Sequence, residues 1–128
     1  MWVDGGARGN PGPAAVGYRI EDEAGAVLDE AGRTIGVATN NEAEYRALIT
    51  ALRRAAALGA TEVDVHSDSE LLMRQMTGRY RVKSPHLKQL WDEAQQAADR
   101  FEQVRYLEVR RAENTDADRQ VNLALDRA

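Results

Sequence analysis

The chain has 128 residues, of which 43% are hydrophobic and none is cysteine; that suffices for one domain with its own core and excludes disulfides and thiolate zinc sites. The formal charge of −4 argues against a surface that grips nucleic acid everywhere, because phosphate binding is driven by cations, and leaves only local basic patches. No charged-then-apolar leader opens the sequence and no segment could span a bilayer, so one cytoplasmic domain over residues 1–128 is expected.

Met1-Trp2-Val3 leads into Asp4-Gly5-Gly6, a short first strand carrying an acid among small residues. Only three residues precede Asp4, which predicts thin pairing for this strand. Gly9-Asn10-Pro11-Gly12-Pro13 is a turn. Val16, Tyr18 and Ile20 alternate with Gly17 and Arg19 as a half-buried strand does, and a third strand follows a polar turn over Val27 to Ile35. These connections are too short for a crossover helix, so the three strands form an antiparallel meander.

A helix opens near Asn41, with Tyr45, Leu48, Ile49, Leu52, Ala55 and Ala56 on one face and Gly59 as its stop. Asn41 caps it in this reading, Glu44 completes a capping-box-like arrangement, and Glu42 and Arg46 form an i,i+4 pair. Val63 and Val65 mark a fourth strand ending at Ser67-Asp68-Ser69. A short helix with Leu72, Met73 and Met76 stops at Gly78, and Ser84-Pro85 caps the next, with Leu87, Leu90, Trp91, Ala94, Ala98 and Phe101 aligned. Val104, Leu107 and Val109 suggest a fifth strand, and Thr115 onward a last helix with Val121, Ala124 and Leu125 inward. Strands one, four and five, linked through helices, should be parallel, giving a mixed five-stranded α/β sheet.

Four acids then compete between local and convergent readings. Glu44, Asp68 and Asp118 lie near helix starts, where a carboxylate gains about 0.3–1 kcal/mol from the dipole. Asp4 is harder to place locally, because Asp is depleted within strands and a central strand has little water. The parallel arrangement sets the ends of strands one and four side by side, where ligands of open α/β sheets bind. Four carboxylates at that place call for a hard cation, Mg²⁺ or Mn²⁺, and two such ions about 3.5–4 Å apart cut phosphodiesters in line.

Asp-Gly-Gly at 4–6, Gly-Asn-Pro-Gly-Pro at 9–13, Thr-Asn-Asn-x-Ala-Glu-Tyr at 39–45, Ser-Asp-Ser at 67–69 and Glu-Asn-x-x-Ala-Asp at 113–118 resemble type I ribonuclease H in order and spacing, across essentially the whole chain. The resemblance implies a five-stranded mixed sheet of order 3-2-1-4-5 flanked by helices. It also implies endonucleolytic cleavage of the RNA strand of RNA–DNA hybrids by two-metal-ion catalysis, leaving 5′-phosphate and 3′-hydroxyl ends. By position, Asp4, Glu44, Asp68 and Asp118 would be the catalytic metal carboxylates. Asn10, Asn40 and Asn41 would read RNA 2′-hydroxyls in the minor groove, and Thr39 would form part of a DNA-phosphate pocket. An amide both donates and accepts, which suits a 2′-hydroxyl and a base edge.

Three departures qualify that resemblance. Arg111 stands where many bacterial members carry a histidine before the last acid. Glu70 stands where bacterial forms often carry a glutamine that meets the groove, and is expected to contact the substrate there more weakly. Only Met76 to Ser84 separates two helices where others insert a Lys- and Trp-rich handle, as in compact archaeal-like forms. From Leu71 to Trp91 there is no acid, while Arg74, Arg79, Arg81, Lys83 and Lys88 supply cations. That is either a solvated face or a phosphate-tracking patch in place of the handle, with Arg79, Arg81 and Lys83 as its substrate contacts. His66 and His86 have no partner at metal-ligand spacing and are expected to be ordinary polar residues. A monomer is expected, acting on hybrids, with double-stranded RNA left open as a further substrate; the alternative is a module of the same fold that binds such duplexes with little turnover.

Overall fold

The computed structural model describes all residues, 1–128. In chain order the elements are β1 (Trp2–Ala7), β2 (Gly12–Glu21), β3 (Val27–Ala38), α1 (Asn40–Ala57), β4 (Glu62–Ser67), α2 (Glu70–Met76), α3 (Pro85–Ala98), β5 (Gln103–Glu108) and α4 (Thr115–Arg127). The sheet order is β3-β2-β1-β4-β5, with β1–β2–β3 antiparallel and β1–β4–β5 parallel. Both the meander and the parallel half therefore follow from connection length, as expected. No helix is long and apolar enough to cross a membrane.

Period-two alternation divides β2 between two cores. Val16, Tyr18 and Ile20 face the main cluster with Tyr45, Leu48 and Leu52 of α1; Ala15 faces the opposite side, against Val121, Ala124 and Leu125 of α4. Gly17 lies beneath α4, where a Cβ would come within 2.5 Å of the Ala117 carbonyl oxygen. The helix can therefore rest directly on the strand, which brings its first turn up to β1.

Several local expectations change. The cap of α1 is Thr39, whose hydroxyl accepts from the Glu42 N–H at 3.2 Å; Asn41 already lies inside the helix, and Glu44 faces the sheet rather than a capping box. Glu42 pairs with His86 of α3 at 3.3 Å. Arg46 instead donates to the Ile35 carbonyl at 3.3 Å, so their expected i,i+4 pair is not formed. β3 runs on to Ala38 because its register with β2 persists to the Gly12–Ala38 pair. β1 is thin only on one side: it pairs with β2 along its whole length, but with β4 only at Trp2–His66. There the Trp2 and His66 rings stack with centroids 4.0 Å apart. In β5 Val104 and Tyr106 pack on the core, whereas Leu107 points outward and Val109 lies beyond the strand, as period-two alternation from Val104 requires. The caps of α2 and α3 are local: Ser69 accepts from Leu72 N–H and Ser84 from Leu87 N–H.

Candidate active site

Asp4 projects from the middle of β1 and is only 8% exposed. Glu44 comes from α1, and its carboxylate accepts the Gly5 N–H at 2.5 Å. That contact depends on glycine: a Cβ on Gly5 would fall 2.2 Å from both the carbonyl carbon and oxygen of Ala43. With no side chain there, α1 lies against the strand and delivers Glu44 beside Asp4. Asp68 follows the last residue of β4 and its side chain is 11% exposed. Asp4, Glu44 and Asp68 each offer an oxygen within 4.8 Å of the others, a group that could hold a metal ion.

Asp118, in the first turn of α4, is outside this tight trio and more exposed. It nonetheless stands close enough to Asp4 to raise its proton affinity through charge and hydrogen bonding. Its own carboxylate receives the Asn122 amide at 3.3 Å from the next turn. The four expected acids thus form three near neighbours and one acid at the rim.

The electrostatics are those of crowded, dehydrated carboxylates. Asp4 is raised from 3.8 to about 8, first by burial and then by the charges of Asp68 and Asp118. Glu44 is raised well above the usual range, first by burial and then by Asp4; the Gly5 N–H acts in the opposite direction. Arg111 is the nearby cation, its Nε 3.5 Å from Asp68 Oδ2, and it lowers both Asp4 and Glu44. A charged cluster of this kind gains most from a bound cation, and an all-oxygen donor set suits a hard one. A cavity of about 810 Å³, lined by Trp2, Ile20, Leu58 and Val63 among others, includes none of the four acids.

Beside the acids, two amide-bearing segments interlock, the turn with Asn10 and the start of α1 with Asn40 and Asn41. Asn10 Oδ1 accepts from the Asn40 N–H at 3.0 Å, and Asn40 Oδ1 accepts from the Ala7 N–H at 2.9 Å. Both carbonyl ends are therefore turned inward and both NH₂ groups remain unused by the protein. Asn41 is exposed next to them. The Thr39 hydroxyl accepts the capping bond, which leaves its own proton available to an outside acceptor.

The basic segment is divided. Arg74 is engaged by Glu70, Glu108 and Tyr80, and Lys88 by Asp92 and the Trp91 ring. Arg79, Arg81 and Lys83 stand exposed without an ion-pair partner. Glu70 accepts from the Tyr80 hydroxyl at 3.1 Å, so its carboxylate serves the fold of this loop.

Asn114 is a site residue that sequence reasoning misses. It is 1% exposed, and its amide donates to the Val3 carbonyl at 2.8 Å. It ties the start of α4 to β1 one residue from Asp4. An asparagine just before the last helix reads as a cap in sequence, but its side chain makes no capping bond. Its Oδ1 has no partner in the protein, and nothing in the surroundings explains that.

A 3-2-1-4-5 sheet with one acid inside its central strand and another just past the end of the parallel strand beside it defines a ribonuclease H-like domain. A family model described as reverse transcriptase-like matches residues 2–124, and the chain belongs to that family, in its type 1 ribonuclease H group. It is 50% identical over 127 residues to the bifunctional protein Rv2228c of Mycobacterium tuberculosis, covering 98% of this chain and 35% of that protein. The chain therefore spans about a third of the length of the curated relatives it first matches. The crystal structure of RNase H1 from Halobacterium salinarum superposes with a TM-score of 0.96 at 43% identity, over 98% of this chain and 96% of that one. LC11-RNase H1, solved in complex with an RNA/DNA hybrid, gives a TM-score of 0.93 at 44% identity, over 98% and 94%.

Proposed function

We propose that this protein hydrolyses the RNA strand of RNA–DNA hybrids at the acid cluster, leaving 5′-phosphate and 3′-hydroxyl ends. The observation that carries the reading is the convergence of Asp4, Glu44 and Asp68, from three separate elements, to within 4.8 Å. Likeness to a relative solved with a hybrid bound supports the choice of substrate.

In this reading Asp4, Glu44, Asp68 and Asp118 hold Mg²⁺ or Mn²⁺. Ions bound there supply Lewis acidity to the attacking and departing oxygens of an in-line displacement. The free NH₂ groups of Asn10 and Asn40, with Asn41, face the minor groove and donate to 2′-hydroxyls, so a deoxyribose at that position forfeits the contact. The Thr39 hydroxyl donates to a phosphate of the DNA strand. Arg79, Arg81 and Lys83 follow the backbone without reading sugar or sequence. Arg111 stays protonated at working pH, so it acts as a fixed charge beside Asp68 and moves no proton.

The test is cleavage of a hybrid with labelled RNA by the purified domain, with and without Mg²⁺, beside all-DNA and all-RNA duplexes. Cutting of the hybrid alone, or of the hybrid and double-stranded RNA, supports the reading; cutting of the DNA duplex contradicts the role given to the amides. A second reading, duplex binding with little turnover, is favoured by Arg111 at the histidine position. Tight Mg²⁺-dependent binding without product would select it. Sedimentation of the free protein tests the accompanying expectation of a monomer.

A further inference from the structure

The loop Thr77–Ser84 carries Arg79, Arg81 and Lys83, yet little holds its second half. Its first half is fixed by the Arg79 and Tyr80 N–H groups, which donate to the Arg74 carbonyl at 2.8 and 3.0 Å, and by the Tyr80 hydroxyl on Glu70. From Arg81 to Lys83 a single hydrogen bond reaches the body of the protein: Gln75 Nε2 donates to the Arg81 carbonyl at 3.4 Å.

Gln75 is 5% exposed on an α2 face otherwise made of Leu72, Met73 and Met76. Packing alone would be served by another apolar side chain there, and a buried amide is costly unless it is bonded. This amide is bonded at both ends. Its Oε1 accepts from the Tyr45 hydroxyl at 2.5 Å, and the residue's main-chain carbonyl accepts from the Trp91 indole at 3.2 Å. The Arg81 carbonyl can only accept, so the NH₂ must face it and the Oε1 must face Tyr45. Tyr45 directly follows Glu44 in α1.

We infer that Gln75 is a positioning residue that acts through the Arg81 carbonyl to hold the basic loop in fixed register with the turn of α1 carrying Glu44. What the loop does rests on the ribonuclease reading above; the strut itself does not. With no handle inserted, this one side chain sets where the cations of Arg81 and Lys83 lie relative to the acids.

The test is the double variant Gln75→Met with Tyr45→Phe, which keeps the volume and removes both polar partners together, so no buried hydroxyl is left unpaired. It should melt close to wild type. Its KM for an RNA–DNA hybrid should rise about tenfold as the loop loses its ordering, with kcat within about twofold, and the salt slope of KM should flatten by about 1. Tyr45→Phe alone keeps the Gln75–Arg81 bond but cuts the link to α1, so its KM should rise by less than in the double variant; a KM equal to wild type would mean that the loop is held on α2 and not in register with α1. A purely structural role would lower the melting temperature and active fraction without moving KM or its salt slope. Backbone NMR order parameters at Val82 and Lys83 give a readout independent of catalysis: they should fall from about 0.85 to below about 0.6 in the double variant. Unchanged order parameters, or an unchanged KM in an active nuclease, overturn the inference. If the wild-type protein does not cut hybrids, only the ribonuclease reading fails, and the order parameters alone decide the strut.

Discussion

Replacing Asp4 by Asn should remove the activity and make the metal-free protein more stable. Asp4 binds its proton at about 8 in the folded protein, against 3.8 for an unperturbed aspartate. Between those values the folded state holds a proton that the unfolded chain has released, so stability falls as pH rises through that window. Each tenfold change in proton activity is worth about 1.4 kcal/mol, and pH 7 lies roughly a thousandfold beyond the unfolded value, an upper penalty of about 4 kcal/mol. Relaxation of the site reduces that to about 2–4 kcal/mol. Asparagine has the shape of the neutral acid and carries no such penalty. For a domain of this size 1 kcal/mol moves the melting temperature by roughly 3–5 °C, so in EDTA at pH 7 Asp4→Asn should melt about 6–20 °C above wild type. At pH 5 less than half of that gap should remain. Mg²⁺ should close it from the other side, because an ion at roughly 100 times its Kd adds about 2.7 kcal/mol to wild type and far less to a variant lacking one ligand. Thermal melts at pH 5 and 7, in EDTA and in Mg²⁺, read all four corners. A variant no more stable than wild type at pH 7, or equally advantaged at pH 5, would refute the account of the cluster.

Asp68→Asn should abolish hybrid cleavage, retain the circular dichroism spectrum and blunt the Mg²⁺-induced rise in melting temperature; near-wild-type turnover would sink the metal assignment. Gly5→Ala should destabilise by about 2–4 kcal/mol, because the new methyl meets the Ala43 backbone rather than a movable side chain, and denaturant melts will read it. Asn40→Ala should cost about 1 kcal/mol through the Ala7 N–H it leaves unpaired and slow hybrid cutting, with no gain of cutting on all-DNA duplex. Arg111→Ala should change the single-turnover rate little, whereas Arg111→His should add a titration near the imidazole value of about 6.5. A loss in Arg111→Ala as complete as in Asp68→Asn would make the arginine part of the catalytic apparatus.

Much of this fold is legible in the sequence because it is local. Gly59 and Gly78 stop helices in the left-handed region, at φ of +89° and +77°. Ser84-Pro85 starts one, and the alternation in β2 assigns its two faces without reference to any partner. Connection length then fixes which strands run parallel, and so places β4 beside β1. Asp4 can be singled out for a related reason, since a carboxylate in the middle of a strand has no local explanation; Glu44, Asp68 and Asp118, each with a local reading near a helix start, are named by the family resemblance. Even the true cap is present in the sequence as Thr39, although the asparagines beside it are equally good capping residues and compete for the role.

What tertiary structure alone decided are the choices a polar side chain makes between a neighbour in sequence and one far away. Glu44 could have served its own helix end; the absence of a side chain on Gly5, 39 residues earlier, lets it take that backbone N–H instead. Asn114 could have capped α4 and instead reaches Val3 across 111 residues. Glu42 and Arg46 had the spacing to pair but each found a partner in another element. Helical spacing sets only what is within reach, at a few tenths of a kcal/mol per exposed pair, so burial and the orphaned backbone groups of packed neighbours settle where each side chain goes. Three acids within 4.8 Å and a fourth at the rim are the sum of such choices, and no pattern along the chain encodes that asymmetry.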